Sequence, residues 1–141
     1  NSLENRLLTE IVSLDNIKWW HRNKDMKPGF CINAFINHYP DFIICTENEN
    51  IIMVEVKGDD RTNDDSKTKL KLGSKWADKA GDKYFYFMVF ENSKIEGSLL
   101  IDEFIDTIKE LWYSNFAIFV NLFKSFTLLL NILGYNFKSQ I

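Results

Sequence analysis

Two short stretches of this chain hold residue types that could do hydrolytic chemistry: Pro40-Asp41, and further on Glu55-Val56-Lys57. On a β-strand, successive side chains point to opposite faces. Ile52, Val54 and Val56 therefore share one face, and Met53, Glu55 and Lys57 the other. If Asp41 opens the neighbouring strand of a hairpin, its carboxylate meets that of Glu55. Two carboxylates and an ammonium at a sheet end are expensive to group unless something compensates their charge. A divalent cation does so. Mg²⁺ takes hard oxygen ligands, one or two of them carboxylates, and completes its shell with water and phosphate. Such an ion polarises a phosphoryl oxygen and lowers the pKa of bound water, and a lysine beside it orients that water and stabilises charge on phosphorus. The pattern points to phosphoryl chemistry with Mg²⁺, or Mn²⁺ in its place.

Other chemistry-bearing residues read more plainly. Lys67, Lys71, Lys75 and Lys79 read as a solvated helix face, with a phosphate-contacting strip as the functional alternative. Lys69 shares a face with Leu72, Gly73, Trp76 and Ala80, which aims it inward, where it can contact substrate phosphate. His21 and His38 are lone histidines, and His38, shortly before Asp41, reads as a loop residue. Trp19, Trp20, Trp76 and the aromatics of 84–90 read as core.

The elements that must position these groups follow from periodicity. Leu3, Leu7, Ile11 and Leu14 recur on one helical face, so the chain opens with a helix. A strand fits Ile17–His21, the stretch RNKDMKPG is a loop, and Phe30–Ile36 reads as a second strand. Two apolar runs, Phe42–Cys45 and Ile51–Val56, flank the polar Glu47-Asn48-Glu49-Asn50 and form a hairpin. A polar loop over Asp59–Asp65 leads to a helix over Ser66–Ala80 that stops at Gly81. An aromatic strand, Tyr84–Phe90, and a helix over Ile101–Leu111 complete the order, an α/β architecture on a mixed sheet.

Composition bounds the alternatives. At 141 residues, 45% hydrophobic and 26% charged, the chain is long and apolar enough for one domain with a real core, which excludes a disordered tail or a lone coiled coil. Residues 111–141 carry no acid and only Lys124 and Lys138, which leaves a net charge of −5 on residues 1–110. That balance argues against gripping nucleic acid by overall positive charge. We read 1–110 as the working domain and 111–141 as an apolar extension. Phe119, Leu122, Phe126, Leu129 and Leu133 favour an amphipathic helix there, while Lys124 and three asparagines weigh against a membrane span. Cys31 and Cys45 lack CxxC spacing and read as buried, reduced thiols of a cytoplasmic protein. The chain starts at Asn1, so a piece of a longer polypeptide is expected, and no signal peptide is visible.

Tyr39-Pro40-Asp41 followed by Glu55-Val56-Lys57-Gly58 resembles the PD-(D/E)XK nuclease superfamily. With Trp19-Trp20-His21-Arg22-Asn23 before it, and Lys69–Ala77 and Tyr84–Phe90 after it, residues 3–110 are similar to the C-terminal nuclease domain of type III restriction endonuclease Res subunits and related superfamily 2 helicases. The resemblance implies a restriction-endonuclease-like αβββαβ core, a mixed central sheet flanked by helices, and metal-dependent hydrolysis of DNA. It assigns Asp41 and Glu55 to the metal, with the Val56 carbonyl as a further oxygen, and Lys57 to the motif lysine. It also implies a glutamate on the first helix, Glu4, with Glu10 competing. As partners it implies DNA, a helicase or translocase region N-terminal in the same polypeptide, and a methyltransferase subunit. A non-catalytic DNA-binding or scaffolding module of the same fold is the alternative.

Overall fold

The computed structural model describes residues 2–26, 28–59 and 63–113. The chain opens with helix α1 (Ser2–Val12), whose Leu3, Leu7 and Ile11 are buried, one turn apart, as the periodicity predicts. Strand β1 (Ile17–Arg22) follows, then two short strands, β2 (Ile32–Asn33) and β3 (Asn37–His38). The hairpin is β4 (Phe42–Thr46) and β5 (Ile51–Lys57). Helix α2 (Asp64–Ala80) crosses to β6 (Tyr84–Phe90) and β7 (Leu99–Leu100), and helix α3 occupies residues 101–113.

Five strands form a mixed sheet in the order β1-β4-β5-β6-β7. The β1–β4 and β4–β5 pairs are antiparallel, and β5–β6 and β6–β7 are parallel. A parallel neighbour requires a crossover, and α2 supplies it between β5 and β6. The sheet carries a core on each face. On one, Phe42, Ile44, Ile52, Val54 and Val56 pack with Leu3, Leu7 and Ile11 of α1 and with Phe104 and Ile108 of α3. On the other, Met53, Tyr86, Met88 and Phe90 pack with Leu70 and Leu72 of α2. Full burial of each such aliphatic side chain contributes about 1.5–3 kcal/mol, so α1 is held by its three leucine and isoleucine contacts rather than by propensity.

Local chemistry ends each element. Thr46 Oγ1 accepts from the Asn50 N–H at 3.1 Å, and Glu49 takes a positive φ of 63°, which closes the β4–β5 turn. Asn63 caps α2, its side chain accepting from the Ser66 N–H at 3.1 Å, and Gly81 ends that helix at φ 115°.

Four expectations are corrected. Phe30–Ile36 is not a strand of the central sheet; only Ile32–Asn33 is extended, paired with Asn37–His38 in a separate two-stranded sheet. Polar Asn33 and the exposed Phe35 break the apolar run that a central strand needs. Trp19 and Trp20 are not core: among the described residues β1 is the edge strand of the sheet, and they stay 45% and 41% exposed. Tyr84, the first residue of interior strand β6, is also 39% exposed, at the end of the sheet where the chain leaves Gly81. Cys31 precedes β2 and is half-buried, while Cys45 is buried in β4 as expected. Of the extension, residues 114–141 lie outside the described residues, and the helix and membrane readings with them. Among the described residues no helix is long and apolar enough to cross a membrane.

Candidate active site

Strand β5 lies at the centre of the sheet and is buried almost throughout, which is the environment of an all-apolar run. Its last turn of sequence departs from that rule: Glu55 is 4% and Lys57 8% exposed. Both project to the α2 face, on the side opposite Val54 and Val56, as the two-residue period requires. The β4–β5 register pairs Phe42 with Val54 and Ile43 with Met53, so Asp41 stands across from Glu55 on the same face.

Asp41 is fixed from two directions. Its Oδ2 accepts from the Val56 N–H at 2.7 Å, and its main-chain carbonyl accepts from the Asn23 N–H at 2.8 Å. Because the N–H and C=O of one strand residue point to the same side, the Val56 carbonyl also faces the Asp41 side of β5. Lys57 Nζ lies 2.7 Å from Glu55 Oε1. Lys69, from α2, reaches the same oxygen at 3.9 Å and is steadied by Asp65 at 3.1 Å, one turn earlier on its helix. The structure thus brings Asp41, Glu55, Val56, Lys57 and Lys69 to one sheet end.

Glu4 joins them from the first turn of α1. Its side chain is only 12% exposed, Arg22 of β1 ion-pairs with it, and its charge acts on Asp41. Glu10, two turns further along α1, is exposed. The helix-borne carboxylate at the site is Glu4.

The electrostatics follow from crowding. Burial first, then the Asp41 charge, push Glu55 up to about 7, against the opposing pull of Lys57 and Lys69. Burial also raises Asp41, the Val56 hydrogen bond opposing and the Glu4 charge adding to it. Burial draws Lys69 down, but the Asp65 hydrogen bond and the Glu55 and Asp65 charges carry it above its ordinary value. Glu55 Oε2 is buried with no hydrogen-bond partner among the described residues. A buried carboxyl oxygen left without a partner is costly.

Mg²⁺ fits this donor set. It takes one or two carboxylates and leaves the rest of its shell to water and phosphate, and the unpartnered Glu55 Oε2, the Asp41 carboxylate and the Val56 carbonyl are hard oxygens of that kind. Among the described residues there is no group of three or more His, Cys, Asp or Glu side chains placed to hold a metal ion, so the two carboxylates would have to be completed by the Val56 carbonyl, water and phosphate.

Sequence reasoning missed two neighbours. His38 is not a loop histidine: it lies in β3, 1% exposed, with Nε2 2.8 Å from the Tyr86 hydroxyl. Burial, then the Lys69 and Lys57 charges, lower it to about 4. Tyr86 is raised by burial and by the Glu55 and Asp41 charges. The signal available in sequence was a tyrosine at an inward position of β6; its partner came from the fold. Asn23, whose place beside Trp19–Arg22 gives no sign of its role, bonds through its side chain the Phe30 and Pro40 carbonyls and the Phe30 N–H, each at 2.8 Å.

No protein-family model, curated protein or solved structure matches the chain.

Proposed function

We propose that this chain is a Mg²⁺-dependent endonuclease domain that hydrolyses DNA phosphodiester bonds. The observation that carries the reading is the buried Glu55 carboxylate, one oxygen unpartnered, set across a strand pair from Asp41 and beside Lys57. The order helix, antiparallel strands, crossover helix and parallel strand supports the restriction-endonuclease-like core that the motif resemblance implies.

When bound, Mg²⁺ supplies Lewis-acid polarisation of the scissile phosphate and a more acidic water. The chain's own residues do the rest. Asp41 and Glu55 present carboxylate oxygens, and the Val56 N–H holds Asp41 in the orientation that leaves its other oxygen available. Lys57 sits at the mouth of β5, where its ammonium can orient the attacking water and meet the negative charge that develops on the phosphoryl oxygens. Glu4 orders water at the rim of the pair, and Lys69 contacts a phosphate. A helicase or translocase region in the same polypeptide would supply most of the grip on DNA, since the net charge of −5 over residues 1–110 does not.

A second reading, a DNA-binding or scaffolding module that does not cleave, draws on Lys57 and Lys69 both facing Glu55 Oε1: two ammonium groups already neutralise that oxygen. Plasmid nicking at low salt with Mg²⁺, Mn²⁺ or EDTA separates the two. The native chain is expected to nick only with metal, and Glu55→Ala and Lys57→Ala to lose at least about 10²-fold in rate. Binding without nicking at any metal concentration would favour the module. Equal nicking by all three chains would reject the assignment of these residues.

A further inference from the structure

Asp41 immediately precedes β4, and the residues before it, Tyr39 and Pro40, lie in neither helix nor strand. A carboxylate at the end of an irregular segment is placed only as well as that segment is anchored. One anchor is Asn23, whose side chain spans the loop from Phe30 to Pro40 and whose N–H holds the Asp41 carbonyl. The other is the His38–Tyr86 pair. Its members are 1% and 7% exposed, their polar atoms are 2.8 Å apart, and their rings meet edge to face at 5.6 Å and 70°.

Burying an imidazole and a phenol is costly unless each satisfies the other, and two apolar side chains would fill the space without that cost. The fold makes room for the arrangement. A Cβ at Gly73 of α2 would stand 2.4 Å from three atoms of the Tyr86 ring, so only glycine lets the ring lie under the helix. With His38 held near 4 by burial and the two lysines, the pair stays uncharged around neutral pH and its hydrogen bond persists there.

We propose that His38 and Tyr86 form a latch between the Asp41 segment and β6, and that both are positioning residues for the carboxylate pair. The latch fixes where Asp41 stands relative to Glu55; its importance for metal rests on the Mg²⁺ reading above.

Tyr86→Phe keeps the ring and removes the hydroxyl, and the full chain carrying it is compared with the native chain in two measurements. The first is amide hydrogen exchange at Asn23 and Val56, the two N–H groups bonded to Asp41. The second is Mg²⁺ affinity by calorimetry. Loss of one buried hydrogen bond should speed exchange at both amides about five- to tenfold and weaken Mg²⁺ by a similar factor, with α1 amides unchanged. His38→Gln, which can still bond the hydroxyl, should stay closer to the native chain than His38→Leu in both readouts. Unchanged exchange at Asn23 and Val56 in Tyr86→Phe overturns the latch, as does equal acceleration at every amide, which would report general loosening. If the native chain takes no Mg²⁺, the metal reading falls, and the exchange result alone still decides the latch.

Discussion

Glu55 and His38 impose opposite pH dependences on folding, and removing them one at a time exposes each. Glu55 rises from 4.5 to about 7 on folding. Between those values the folded chain keeps a proton that the unfolded chain has released, so this group's contribution to stability falls as pH rises through the window. His38 drops from 6.5 to about 4. Between those values the unfolded chain holds the extra proton, so its contribution rises with pH. Each shift corresponds to about 3 kcal/mol at 1.36 kcal/mol per unit. In the native chain the two nearly cancel. Glu55→Gln should therefore gain about 3 kcal/mol relative to the native chain between pH 4.5 and 7.5, and His38→Gln should lose about 3 kcal/mol relative to it between pH 4 and 6.5. Urea unfolding in EDTA at fixed ionic strength, at four or so pH values, measures both. Differences from the native chain cancel the slopes of other carboxylates, such as Asp59 and Glu103, both lowered by backbone hydrogen bonds. Glu55→Gln also alters the hydrogen bonding of the buried Lys57 ammonium, so the slope and not the offset is diagnostic. A Glu55→Gln difference that stays flat from pH 4.5 to 7.5 would refute the claim that burial and Asp41 hold this carboxyl protonated.

Two further outcomes follow from packing and charge. Gly73→Ala drives a methyl group into the Tyr86 ring and should destabilise the chain by about 1–3 kcal/mol in urea unfolding; a neutral result would mean that α2 can lift off β6 without cost. Lys69→Met should leave thermal stability nearly unchanged, because its closer ion pair is to the largely exposed Asp65 and Glu55 lies 3.9 Å away, yet reduce the salt dependence of DNA binding by about one unit of slope if it contacts a phosphate. An unchanged slope would remove Lys69 from the substrate contacts.

Local pattern made much of this molecule legible. The α1 face, the β4–β5 hairpin, the extent of α2 to within two residues and the aromatic β6 all follow from spacing, because helical and strand periods are properties of the chain itself. So does the meeting of Asp41 and Glu55, since a hairpin's register is set by its own turn and two apolar runs. Other features were decided by what the chain packs against. Trp19 and Trp20 have strand chemistry, but their exposure depends on β1 being the outermost strand, a matter of sheet order. Phe30–Ile36 looks like a strand until the central sheet leaves it no neighbour. His38 finds Tyr86 forty-eight residues away only because the parallel crossover through α2 lays β6 beside β5. Glu4 and Lys69 likewise reach the carboxylates from helices on opposite faces of the sheet. Spacing along the chain determined which groups carry the charge. Burial, and with it the raised Glu55 and the lowered His38, came from the assembled layers, because desolvation depends on every element that excludes water from a site.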